Sequence, residues 1–161
     1  MLKKVDNQIQ PDTLIHNPDT PIIRGTVDLD VPSSAAWEVV GDFGGFDKFI
    51  TGLQRIEMTG TGVRSIRKKF FADGNIVVEQ LNSHVPERMV MTWSLLYTTF
   101  NIGNLWASMR VEPCGEHACT VIWDIAGEPW NGDKEAQEDF NAFVSGFLDM
   151  AMANLRSMFN K

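Results

Sequence analysis

The order of periodic segments predicts an α+β domain: a curved antiparallel sheet of seven strands around one long C-terminal helix, with two short helices after the first strand. Three observations carry this. A β-prone segment runs straight into a helix start at Pro32-Ser33-Ser34, turn signals then separate alternating runs from Leu53 to Ile125, and the chain closes on a long segment of helical period. The sheet must bury its apolar face, and the last helix is the element long enough to cover it. A sheet bent around a helix leaves space at one end, where the two can enclose a cavity.

Residues 1–21, with Pro11, Pro18 and Pro21 and few large apolar groups, read as an irregular arm, and residues 22–161 as one domain. From Ile22 to Asp30 the pattern is a strand. Ser33 or Ser34 is the expected N-cap of the helix that follows, in which Ala36, Val39, Val40 and Phe43 recur at helical spacing until Gly41, Gly44 and Gly45 break it. A second short turn holds Phe46, Phe49 and Ile50. Six strands are then marked off by Gly60-Thr61-Gly62, Asp73-Gly74, Val85-Pro86-Glu87, Asn101 to Asn104, and Cys114 to Ala118. Alternation is clearest at Met89, Met91, Trp93 and Leu95, and at Cys119, Val121, Trp123 and Ile125. After Asp133 comes a helix of about 26 residues, ~39 Å long, with an apolar stripe of Phe140, Phe143, Val144, Phe147, Met150, Ala151, Leu155 and Met158.

Composition removes several classes of function. A formal net charge of −7 over 161 residues repels phosphate backbones, and the one dense basic run (Arg64, Arg67, Lys68, Lys69) is spread over both faces of a strand, so no nucleic acid is expected. MLKKVDNQIQ turns polar where a signal peptide needs an apolar run, and no stretch approaches the ~20 apolar residues of a membrane span. A cytoplasmic protein is expected. CGEHAC, from Cys114 to Cys119, brings four metal-ligand types together, but it reads as a polar hairpin turn with no second ligand pair elsewhere. No metal or other cofactor is expected. The glycines at 41, 44 and 45 fit no phosphate loop, and His16, His84 and His117 have no Ser or Cys partner for nucleophilic catalysis. Asp42 reads as a turn residue. Nothing in the pattern bears on oligomeric state.

Trp37, Asp42 and Phe43 form a W-x-x-x-x-D-F pattern in VPSSAAWEVVGDFGGFDKF, and Arg67, Gly74 and Glu79 form R-x-x-x-x-x-x-G-x-x-x-x-E. With these motifs, Trp93 and the late strand through Val121 and Trp123, the chain resembles the START-like superfamily with the helix-grip fold. Within it, the resemblance is to the bacterial polyketide cyclase/dehydratase and lipid-transport (SRPBCC) family, from about Ile22 to Phe159. Two positions depart from the family pattern: Trp93 stands where Tyr is frequent, and Arg64 where a small residue is. The resemblance implies a hydrophobic cavity for a lipid, polyketide or other aromatic small molecule. Some relatives catalyse cyclisation, dehydration or hydrolysis, and others carry or sense a ligand.

The stretch RSIRKKFFADGNIVVEQL sets Arg67, Lys69 and Glu79 at alternating positions around a turn. A two-residue loop at Asp73-Gly74 puts Arg67 opposite Gln80 and away from Glu79; a three-residue loop puts Lys69 opposite Glu79 and Arg67 opposite Leu81. We favour the second, because it gathers Arg67, Lys69, Phe71, Val77, Glu79 and Leu81 on one face. That face is either an ion-pair ladder on the rim or the polar equipment of the cavity. The expected ligand-binding set is Arg67, Lys69, Glu79, Met91, Trp93, Tyr97, Trp123, Phe143, Phe147 and Met150, with an apolar or aromatic small molecule as partner. Were the protein an enzyme, Arg67 would stabilise an oxyanion and Glu79 would transfer a proton. A protein-interaction module using an outer-face patch at Trp106 is the remaining alternative.

Overall fold

The computed structural model describes residues 19–160. The arm expected over residues 1–21 lies outside them up to residue 18, as does His16. The chain runs β1 (Ile23–Leu29), α1 (Ser33–Val40), a 3-10 turn (Phe46–Lys48), β2 (Leu53–Thr59), β3 (Ile66–Phe71), β4 (Ile76–Val85), β5 (Val90–Thr98), β6 (Asn104–Pro113), β7 (Cys119–Glu128) and α2 (Lys134–Phe159). All seven strands join one antiparallel sheet in the order β1-β7-β6-β5-β4-β3-β2. The fold is the helix grip. Only the first strand is displaced from sequential order, because α1 and the 3-10 turn carry the chain across the concave face from one edge of the sheet to the other.

The start of α1 differs from the expectation. Pro32 occupies the cap position, Ser33 and Ser34 lie inside the first turn, and no side chain caps the helix. The second short helix is a single 3-10 turn, since Gly44 and Gly45 leave too few residues for a longer one. At α2 the expectation of 26 residues is met, with the Asp133 carboxylate accepting from Ala136 N at 3.1 Å.

The buried stripe of α2 is narrower than the one read from periodicity. It consists of Phe140, Val144, Leu148, Ala151, Met152 and Leu155, while Phe143, Phe147, Met150 and Met158 fall on its flanks. The helix rests on β1 where that strand has no side chain: a Cβ on Gly25 would lie 2.9 Å from Leu148 Cβ. Below α1 and the 3-10 turn the sheet is packed solid. Phe46 sits edge-on to Trp93 and Trp123, with centroids 5.6 and 5.4 Å away. These pieces fill one end of the concave face, so space remains at the other, between the β3–β4 hairpin, the β5–β6 loop and the first half of α2. Among the described residues no helix is long and apolar enough to cross a membrane.

Candidate functional site

The β3–β4 hairpin sets the polar part of the site. Its loop is Ala72-Asp73-Gly74: Gly74 N donates to Phe71 O, Phe71 N donates to Asn75 O, and Gly74 has φ +89°, the left-handed conformation that glycine adopts freely. The loop has the expected length but starts one residue earlier than expected. Every pairing therefore slides by two: Arg67 is directly opposite Glu79, and Lys69 is opposite Val77. The face is the expected one, since a shift of two preserves the alternation.

Glu79 collects three donors. Arg67 Nε and Lys69 Nζ each lie 2.9 Å from Oε1, and Trp93 Nε1 donates to Oε2 at 3.2 Å. All of these groups are buried, with Arg67 at 0% exposure, which rules out the rim-ladder reading. Arg67 is clasped further: Nη1 donates to Phe43 O at 2.8 Å, and its Cζ lies 3.9, 4.2 and 4.9 Å from the ring centroids of Phe43, Phe46 and Trp93. Its Nη2 has no partner among the described residues.

Burial and charge set the protonation states. Burial disfavours the Glu79 carboxylate, but the Lys69 and Arg67 charges and their hydrogen bonds outweigh it and hold the group below the ordinary carboxylate range. Burial pushes Lys69 down to about 8, with Glu79 opposing and Arg67 assisting. The lysine is the group poised nearest neutrality.

Lys69 and Glu79 form the polar wall of a chamber whose other walls are apolar. Trp93, Leu105, Ala107, Trp123 and Ile125 line it from the sheet, Phe143, Val144 and Phe147 from α2, and Phe71, Val77, Phe100 and Ile102 from its mouth. The open space is about 70 Å³, room for a few waters, whereas a drug-sized ligand takes about 300–1,000 Å³. Aromatic side chains occupy the rest. Phe100 packs on Phe71 and on Phe143 with centroids 5.8 and 5.4 Å apart, and Phe143 remains 49% exposed at the rim. Phe100 and Ile102 also line an outer groove of about 700 Å³ that holds Leu96, Tyr97 and Trp130.

Of the expected residues, Lys69, Glu79, Trp93, Trp123, Phe143 and Phe147 meet at this chamber, and four do not. Arg67 stands behind Glu79 as its support. Met91 is core, opposite Met109 near the other end of β5. Met150 offers its sulfur to Thr51 N and Asn154 Nδ2 at 3.3 and 3.4 Å, on the side of α2 that meets the segment before β2. Tyr97 faces outward and is 59% exposed. A bulge is the reason: Glu79 pairs with Leu95 but Val78 with Tyr97, so Leu96 is an extra residue and the alternation inverts beyond it. Phe100, Ile102, Leu105 and Ala107 went unrecognised because the inversion and the β5–β6 loop decide which of them turn inward.

Other sequence readings resolve locally. His84 is half-buried, with Nε2 3.0 Å from Gly41 O and its ring 5.4 Å from that of Trp37. His117 is exposed, Cys114 and Cys119 are free thiols, and no group of metal ligands forms among the described residues. Trp106 is half-buried on the outer face opposite Ser94 and Ala126, so it does not form an exposed patch.

A sheet gripping a long helix, with a chamber between them, defines the helix-grip class. The chain belongs to the family described as polyketide cyclase/dehydrase and lipid transport, which matches residues 20–159. No curated protein matches it in sequence. Solved structures share the fold. A START superfamily protein from Mycobacterium smegmatis superposes with TM-score 0.74 at 9% identity, over 86% of this chain and 97% of that one. XoxI from Bacillus cereus gives 0.69 at 19%, over 82% and 93%. The ZhuI aromatase/cyclase from Streptomyces gives 0.63 at 17%, over 86% and 96%.

Proposed function

We propose that this protein binds an apolar or aromatic small molecule between the sheet and α2, with Lys69 and Glu79 as its polar contacts. The observation that carries the reading is an aromatic chamber whose ionisable lining, among the described residues, is one buried pair. The ligand takes the place of Phe100, Phe143 and Phe147, whose rings pack on Phe71, on one another and on Trp123 around the chamber. Arg67 keeps the Glu79 carboxylate ionised and fixed, and makes no contact with ligand.

A cyclase/dehydratase-type enzyme is the second reading, motivated by the family and by Lys69 lying near neutrality. Its residues differ from those expected at first. Glu79 is held as a carboxylate by three donors and is a poor general acid at neutral pH, so Lys69 takes the proton-transfer role. An interaction module at Trp106 finds no support in the geometry.

The test is uptake of a neutral apolar fluorophore, N-phenyl-1-naphthylamine, with native mass spectrometry of the purified protein for a retained molecule. Binding quenches the emission of Trp93 and Trp123, which line the chamber, and Phe143→Ala accelerates it. Absence of uptake in both native protein and Phe143→Ala would overturn the reading.

A further inference from the structure

We propose that the ligand is an organic acid, an apolar body carrying a carboxylate, and that Lys69 is the residue that receives that carboxylate. The inference deepens the chamber reading above and rests on it.

The first argument is the inventory of unused hydrogen-bonding groups. Among the described residues the buried side-chain atoms without partners are Arg67 Nη2 and Trp123 Nε1, and both are donors. Lys69 Nζ carries three N–H groups and, among the described residues, has one partner, Glu79 Oε1. The Glu79 oxygens already accept from Arg67, Lys69 and Trp93, three of the about four hydrogen bonds a carboxylate can take. Arg67 Nη2 lies behind the chamber, but Lys69 and Trp123 line it, so its free donors outnumber the single open acceptor position on Glu79 Oε2 and a ligand group that only accepts fits it best.

The second argument is charge. Arg67 and Lys69 are two cations against the single Glu79 anion, so the buried cluster carries one unmatched positive charge when all three are ionised. Among the described residues nothing else that lines the chamber compensates it. α2 presents Phe143, Val144 and Phe147 to the chamber, β5 presents Trp93, β6 Leu105 and Ala107, and β7 Trp123 and Ile125; none ionises. An entering carboxylate supplies both the missing charge and the missing acceptors. The proton balance follows: the anion binds the ammonium form of Lys69, so in the range where the free amine is partly neutral, binding takes a proton from solvent.

The test displaces N-phenyl-1-naphthylamine with three probes of one shape: phenylacetate, methyl phenylacetate and 2-phenylethanol, in buffer without other organic acids. At pH 7 phenylacetate is expected to displace the dye at a concentration at least about ten-fold lower than either neutral probe, the factor for one charge-assisted contact in a buried site. In Lys69→Met that preference disappears. For the native protein, affinity for phenylacetate falls about ten-fold per pH unit above 8. Calorimetry at pH 8 in buffers of different ionisation enthalpy reads uptake of about half a proton per acid bound. Equal displacement by the neutral probes, or a preference that survives in Lys69→Met, overturns the proposal while leaving the chamber reading standing. Failure of the native protein to bind the dye or any probe overturns both. Should Lys69→Met lose dye binding altogether, proton uptake by the native protein decides: no uptake overturns the proposal.

Discussion

Arg67 and Glu79 face each other directly across β3 and β4, guanidinium Nε to carboxylate Oε1 at 2.9 Å, with Arg67 sealed between the rings of Phe43 and Phe46. A buried pair of this kind destabilises strongly when one member is removed, because the other is left charged and unpaired. Arg67→Ala is expected to cost about 3–5 kcal/mol in urea unfolding. Lys69→Met is expected to be neutral or stabilising, since it leaves a balanced Arg67–Glu79 pair and an apolar stem. Equal losses in the two variants would contradict the division into a supporting arginine and a chamber lysine.

The cluster also sets a pH dependence of unusual direction. Lys69 has its folded value lowered from 10.5 to about 8, so between those values the unfolded chain binds more protons and stability rises with pH. The rise reaches about 3 kcal/mol, because each pH unit crossed between the folded and unfolded values adds about 1.4 kcal/mol. Glu79 acts at the acid end: its folded value is depressed, and its contribution is lost as pH falls below the ordinary carboxylate range. Denaturant midpoints from pH 7 to 10.5 check the alkaline limb, which Lys69→Met abolishes.

Phe143 and Leu148 separate gating from packing on the same helix. Phe143 is 49% exposed at the mouth and Leu148 1% exposed under β1. Leu148→Ala is expected to cost about 2–5 kcal/mol, and Phe143→Ala less than about 1 kcal/mol, because half its surface already meets water. Stopped-flow dye uptake is faster in Phe143→Ala. An unchanged rate would place the entry path elsewhere.

Arg64 adopts φ +74°, where side chains other than glycine are strained, and its N–H donates to Leu81 O at 2.8 Å. Arg64→Gly relieves roughly 1–2 kcal/mol of that strain and loses roughly 0.5–1 kcal/mol to glycine's greater freedom when unfolded. A gain of up to about 1.5 kcal/mol in thermal or urea unfolding is the expected result.

Much of the architecture was legible in the chain. Seven strands, the glycine-broken elbow and a C-terminal helix of 26 residues follow from period and turn chemistry, which act over a few neighbours. The shared face of Arg67, Lys69 and Glu79 was legible for the same reason, as any odd-length loop here preserves it. Their depth was not. Ion pairs look alike in sequence whether they stand on a rim or under a helix.

The sequence by itself determined which residues form each element and, through the alternation within each strand, which side chains could share a face. Tertiary structure decided how that alternation was read out. The hairpin's starting residue put Arg67 rather than Lys69 opposite Glu79, and one bulge at Leu96 turned Tyr97 out. A single added residue inverts every position beyond it, and only the partner strand shows where it falls. Burial followed from the same source. α1 and the 3-10 turn fill one end of the sheet and leave the other open, so Arg67 became a buttress and Lys69 the group that faces the chamber.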